Sequence, residues 1–166
     1  MKGNIAQRRA VLSLESCLEH IADQDTNLSY SALNDLSNLS PSDLGRFARA
    51  WIKVPIQRKY KVIEGLAEIG EDNTELEFSA IFKVGLRDPD HGVRERAISS
   101  LWEYEDRSLI ETLVGLLTTD DAGEVRAAAA AALGKFAVLA QDGKLMPKDS
   151  DSVQASLMDS LKNEGE

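Results

Sequence analysis

Apolar residues recur along this chain at helical spacing, and the spacing itself repeats. Phe78, Phe82, Gly85 and Leu86 stand at i, i+4, i+7 and i+8, one face of an α-helix. Leu109, Leu113, Leu116 and Leu117 show the same series, as do Leu44, Ala48, Trp51 and Ile52, and again Val153, Leu157, Ser160 and Leu161. A second kind of segment follows. Val93-Arg94, Ala97 and Leu101 recur 32 residues later as Val125-Arg126, Ala129 and Leu133, each set after a polar turn rich in Asp and Gly. Arg58-Lys59 with Val62, Ile63, Leu66 and Ile69 fits the Val93 segment at an offset of 35. A period of this size with helices inside each unit predicts a stack of helical hairpins rather than one closed core. The expected architecture is all-α, a right-handed solenoid of eight or nine helices. Residues 1–40 form an N-terminal helical cap, 41–147 three two-helix repeats, and 148–166 the first helix of a further, incomplete repeat.

Start and stop signals place the helices. The first runs from about Ile5 to Asp23, with Ala10, Leu14, Leu18 and Ile21 along one face, and a short one follows around Ser29–Leu36. Ser40 followed by Pro41 is a strong helix start, because the hydroxyl caps exposed amides and proline needs none. Val54-Pro55 separates two helices, since proline disfavours helical geometry in the residue before it. The stretch Gly70–Thr74 is expected to end one helix and cap the next. Asp88-Pro89-Asp90 and Glu105–Ser108 serve the same roles later. Gln141–Lys148 reads as the longest loop, before a final helix over about Ser152–Asn163. Leu66, Phe82, Leu101, Leu113 and Leu133 are the expected core. Six consecutive alanines, Ala127–Ala132, give a thin helix that neighbours can approach on both flanks.

Composition narrows the function classes. The 166 residues are 43% hydrophobic, enough for one domain's interior, and no run of about 18 apolar residues marks a membrane span. The start, Met1-Lys2-Gly3-Asn4, lacks the apolar stretch of a secretory signal. The single cysteine, Cys17, excludes an intrachain disulfide and reads as a small buried residue, compatible with the cytoplasm. A net charge of −9 argues against an extended nucleic-acid surface, because phosphate binding draws on clustered bases. One basic group stands out, Arg46, Arg49, Lys53, Arg58, Lys59 and Lys61, and acids dominate Glu64–Glu77 and Glu103–Glu111. The sharper reading of this asymmetry is a local basic patch facing an acidic edge, orienting a charged protein partner.

Catalytic chemistry is sparse. Phosphate-loop, dinucleotide, serine-hydrolase and zinc-protease motifs are missing, and the two histidines, His20 and His91, stand far apart. His91 beside Asp88 and Asp90 reads as a solvated helix cap rather than a metal cluster. No catalytic, cofactor or metal residue is assigned. Arg94 and Arg126 follow turn aspartates by five to six residues, and guanidinium forks at that spacing are expected to join neighbouring repeats through Asp88 and Asp121. In stacked hairpins the second helices line the inner side, so Tyr60, Glu64, Glu95, Ser99, Trp102 and Ala131 form the candidate protein-binding strip. Trp102 is its natural anchor if partly exposed. The competing role is packing between repeats, where the small matching residues Ala67 and Gly134 leave room.

The segments Leu86–Leu101 and Leu117–Gly134 resemble HEAT repeats, of the short bacterial kind grouped with the PBS-lyase type. They share a turn aspartate before Val-Arg, alanine three residues after the arginine, and leucine four beyond. The order Ser42-Asp43-Leu44, Glu71–Phe78 and Leu101-Trp102-Glu103 is also similar to a set of bacterial HEAT-repeat proteins, and the likeness covers roughly two thirds of the chain. Relatives commonly carry further repeats, so an end one helix into a unit implies a short variant or a truncated piece. The resemblance speaks for architecture and hardly for activity, because HEAT arrays host scaffolds, adaptors, lyases and glycosylase-like enzymes alike. With no catalytic motif in the chain, the leading expectation is a non-catalytic interaction scaffold or adaptor with an unidentified protein partner. It leaves two alternatives, a small lyase or chaperone-like factor acting on a cofactor- or chromophore-bearing protein, and a structural or regulatory module of a larger assembly. The apolar face of the final helix (Val153, Leu157, Met158, Leu161) calls for cover, and self-association through it is one way to supply that.

Overall fold

The computed structural model describes residues 13–163. Among these the secondary structure is entirely helical, in nine helices, and no helix is long and apolar enough to cross a membrane. Two compact units divide the chain, one ending at Phe78 and the other beginning at Ser79.

The first unit holds α1 (Leu14–Ala22), α2 (Tyr30–Asn34), α3 (Pro41–Trp51) and α4 (Ile56–Asp72). Ser13 caps α1 by accepting from the Ser16 amide. The expected first helix is longer, and its stretch before Ser13 lies outside the described residues. Ser40 caps α3 by accepting from the Asp43 amide at 3.2 Å, with Pro41 at the first helical position. Pro55 forces the break before α4. Ile21, Leu33, Leu36, Phe47, Val62 and Leu66 are fully buried among these helices. Gly65 allows α2 to come close, because a Cβ there would meet the Leu33 side chain at 2.8 Å. Cys17 is completely buried, and burial, then the nearby Asp35 charge, pushes its thiol pKa up, away from the reactive thiolate.

Arg58 organises this unit. Its guanidinium donates to the carbonyls of His20 (2.8 Å), Thr26 (2.9 Å) and Ile21 (3.2 Å), closing the end of α1 and the loop after it. Lys59 is also buried, its ammonium 5.4 Å from the Trp51 ring centroid. The basic group read from the sequence is therefore no single surface patch, since two of its six members lie inside. Their long stems fill space while their charged heads find carbonyl or ring partners.

The second unit stacks α5 (Ser79–Gly85), α6 (His91–Ser100), α7 (Leu109–Thr119), α8 (Gly123–Gln141) and α9 (Pro147–Asn163). α5 packs on α6, while α8 packs on α6, α7 and α9, the hairpin stacking of an α-solenoid. The six alanines lie on α8, where Ala129 and Ala132 are buried against its neighbours while Ala127 and Ala131 are exposed. Phe82, Leu101, Leu113 and Leu133 are all buried here, and Leu66 is buried in the first unit.

Four local expectations are corrected. Ile52 is 77% exposed, while Phe47 is fully buried and stacks on Trp51 at 5.4 Å. α3 ends at Trp51, so Ile52 leaves the helical register in the turn. On α9, Val153 and Ser156 are buried, so the covered face runs through Ser156, while Leu161 at 70% exposed belongs to the apolar face expected to call for cover. A serine fits that face because its hydroxyl donates to the Val153 carbonyl at 3.0 Å. α4 continues through Gly70 to Asp72, and α5 starts only at Ser79. Asn73 accordingly caps no following helix; its side chain closes a local turn on the Glu75 amide at 3.0 Å. Finally, α9 starts at Pro147, because proline suits the first helical position, and this leaves a short connection where the longest loop was expected.

Candidate protein-binding surface

The 32-residue repeat sets two similar helices, α6 and α8, side by side in the second unit. Asp90 fixes the start of α6 by accepting from the Val93 amide at 3.0 Å, and Asp88 accepts from the Asp90 amide at 3.0 Å. These turn carboxylates thus serve backbone amides next to His91. Among the described residues no group of three potential ligands stands together to hold a metal ion.

Between α6 and α8 runs a groove of about 440 Å³. Ala127, Ala128 and Gly92 keep it open by their small size, and Glu95, Ser99 and Glu124 give it polar, predominantly acidic sides. Ser99 donates to Glu95 at 3.4 Å, and Arg96 stands 3.8 Å from the same carboxylate while donating to the Gly92 carbonyl at 3.1 Å. Beyond the C-terminal end of α6 lies Trp102, 46% exposed. Lys135 on α8 donates to the Trp102 carbonyl at 2.5 Å and sits 5.9 Å from the indole ring centroid. One end of the residue is thereby fixed while nearly half its surface faces solvent. Trp102 also borders a small cavity with Leu101, Leu109, Ala132 and Phe136, so part of the residue packs within the second unit.

The expected strip divides between the units. Glu95, Ser99 and Trp102 follow one another along and just past α6, with exposed Ala131 on the adjoining helix. Tyr60, half-buried, and Glu64, exposed, lie one turn apart on α4 of the first unit. Sequence spacing overlooked Glu124, Arg96 and Lys135. The signal for Lys135 was available, since it follows Trp102 by 33 residues, about one repeat.

The arginine links are built asymmetrically. Arg94 grips the Asp120 carboxylate with Nε and Nη2, both at 2.8 Å, and Nη2 also reaches Asp121 at 2.9 Å. Its Nη1 donates to the carbonyls of Asp88 (2.9 Å) and Pro89 (3.0 Å) in its own turn. Arg126 repeats the second half of this arrangement, with Nη1 on the carbonyls of Asp120 (2.9 Å) and Asp121 (3.2 Å). The carboxylate in the bidentate grip is Asp120, which spacing did not single out. The Asp121 side chain is 92% exposed. Burial pushes the Asp120 carboxyl pKa up, but its bonds to Arg94 and to the Ala122 amide, with the guanidinium charge, outweigh this and hold it below the ordinary aspartate range.

Comparison with known proteins bears on the same unit. No curated protein and no solved structure matches the chain. The family described as HEAT repeats matches residues 79–164, a range that coincides almost entirely with the second unit and spans just over half of the 166 residues. The hairpin stacking, the arginine-linked turns and this match agree, and the chain belongs to the HEAT-repeat family.

Proposed function

We propose that the protein is a non-catalytic scaffold or adaptor that holds a protein partner in the groove between α6 and α8, with Trp102 as its anchor. The observation carrying this reading is the open groove between α6 and α8, with the half-exposed Trp102 lying just beyond the end of α6. HEAT repeats are commonly protein-interaction scaffolds and generally non-catalytic, which agrees with it. The net charge of −9 favours a protein over a nucleic acid as partner, and the cytoplasm as its place of action accords with one buried free thiol. In this account residues 1–40 cap an array whose repeats occupy 41–147, with 148–166 opening a further one.

The test is co-purification from cells in which the protein naturally occurs, comparing wild type with Trp102→Ala and with a control at another exposed apolar residue, Ile52→Ala. A protein retained by wild type and the control and lost with Trp102→Ala supports the reading. Identical recovery in all three overturns it.

A second reading, a structural or regulatory module of a larger assembly, is favoured by one observation. Met158 and Leu161 on α9 are 50% and 70% exposed, an apolar face suited to a neighbouring subunit. Self-association through α9 would use the same face.

A further inference from the structure

α4 carries its charges in the order that a helix standing alone disfavours. The amide dipoles leave a helix positive at its start and negative at its end, so acids suit the first turn and bases the last. α1, α3 and α9 follow that order, with Glu15 and His20, Asp43 and Arg49, and Asp149 and Lys162. α4 has neither an acid in its first turn nor a base in its last. Instead Arg58, Lys59 and Lys61 stand near its start, and Glu68, Glu71 and Asp72 near its end. Within the acidic half, Glu64 and Glu68, then Glu68 and Asp72, are like charges four residues apart, which repel.

The outward charges of α4 also share one face. Gln57, Lys61, Glu64, Glu68 and Glu71 recur at i, i+4, i+7, i+11 and i+14, a single stripe along the helix, and all five are exposed. Lys61, and Lys53 exposed just before the helix, form no ion pair among the described residues. Each end of the stripe has apolar surface near it. At the basic end Ile52 and Ile56 are 77% and 46% exposed. At the acidic end Tyr30, 53% exposed, donates to Glu68 at 2.5 Å.

We infer that this face docks a second copy of the chain, with the two α4 helices antiparallel about a twofold axis. The basic, isoleucine-bearing end of each copy then meets the acidic, tyrosine-bearing end of the other. Lys53 and Lys61 face Glu68, Glu71 and Asp72, and Ile52 and Ile56 face Tyr30. A surface that holds both halves of a complementary pair closes on itself, as a twofold interface requires. Antiparallel packing also brings each base near the negative helix end of the other copy, and each acid near the positive one. A foreign protein would have to supply both charge orders in register, whereas a second copy supplies them by symmetry. The interface uses residues of the first unit alone and does not depend on the α6–α8 groove.

Sedimentation velocity of the full chain over a range of concentrations tests this. A monomer–dimer equilibrium is expected, weakened by added salt because exposed charges carry much of the contact. K53E with K61E, and separately E71K with D72K, should each raise the dissociation constant about tenfold or more by setting like charges together. Both pairs of changes suit the dipole of α4 itself, so each variant should melt no lower than wild type. An equimolar mixture of the two variants should dimerise again, since a face made acidic throughout then meets one made mainly basic. Ile52→Asp, at an exposed position, should also dissociate the dimer, while Trp102→Ala and Leu161→Asp leave it intact. A wild type that stays monomeric throughout overturns the proposal. So does a dimer that tolerates either charge reversal, a mixture that fails to reassociate, or a dimer lost with Leu161→Asp instead. None of these outcomes touches the tryptophan-anchored partner, so the two readings fail independently.

Discussion

Replacing Arg94 by methionine tests the idea that a guanidinium fork, more than apolar contact alone, joins the successive hairpins of the second unit. The substitution keeps most of the stem and removes all five donated bonds of 2.8–3.0 Å. It strands the Asp120 carboxylate, whose side chain is 4% exposed, with the Ala122 amide at 3.0 Å as its remaining bond. Breaking a buried pair from one side costs about 3–5 kcal/mol. Arg94 retains 12% side-chain exposure, and water can reach the vacated site, so the lower end, about 3 kcal/mol, is expected. Asp120→Asn keeps the size and one acceptor and should cost about 2 kcal/mol. The double variant should cost clearly less than the sum, with a coupling of about 2 kcal/mol, because each single change already breaks the same pair. Asp121→Ala, at a 92% exposed side chain, should stay within about 0.5 kcal/mol. Urea unfolding followed by circular dichroism measures all four. The pair also sets an acid limit. The folded-state pKa of Asp120 lies below its unfolded value, so its contribution is present above the unfolded value and is lost as pH falls through the folded one. The difference between wild type and Asp120→Asn should shrink from about pH 5 downward. Additive single costs, or an Asp121→Ala loss as large as that of Asp120→Asn, would refute the reasoning.

Other parts of the molecule give independent checks. Leu101→Ala, at a residue 5% exposed, should cost about 2–5 kcal/mol through lost burial and a residual cavity, read as a lower urea midpoint. Arg58→Met should destabilise the first unit by about 3 kcal/mol, since three carbonyls at the end of α1 and in the following loop lose their donor; hydrogen exchange should show faster opening of α1 and that loop. Cys17 should resist a thiol reagent such as dithionitrobenzoate in the native protein and react at once in urea, because it is fully buried with its pKa raised; rapid native reaction would show that α1 does not cover it.

The helices were legible wherever a period could be followed through several turns. Leu101 and Leu133 occupy equivalent buried places because the 32-residue repeat carries helix, turn and core face together. Legibility fell at helix ends, where one residue's shift changes everything. Ile52 continues the apolar series on paper, but α3 has stopped one residue earlier, and the side chain points to solvent. Ser156 ran against the series because a serine that bonds its own helix behaves in a core as a small apolar residue does. Adjacent carboxylates posed a similar problem, since Asp120 and Asp121 are alike in sequence. Only the turn geometry decides that Asp120 takes the bidentate grip. The groove itself is a relation between two helices, and the sequence could nominate Glu95, Ser99 and Trp102 on one of them more readily than Glu124 and Lys135 on the other.

The central claim is that a protein partner lies in the α6–α8 groove. A photo-crosslinking residue placed at Ala128, on the groove floor, and separately at Glu111, exposed on α7, tests it most directly. Irradiation in cells that contain the natural partner should join the same protein to the chain from Ala128 and not from Glu111, and Trp102→Ala should abolish that adduct while leaving the chain folded. An adduct formed equally from Glu111, or one from Ala128 that persists undiminished with Trp102→Ala, would contradict the account.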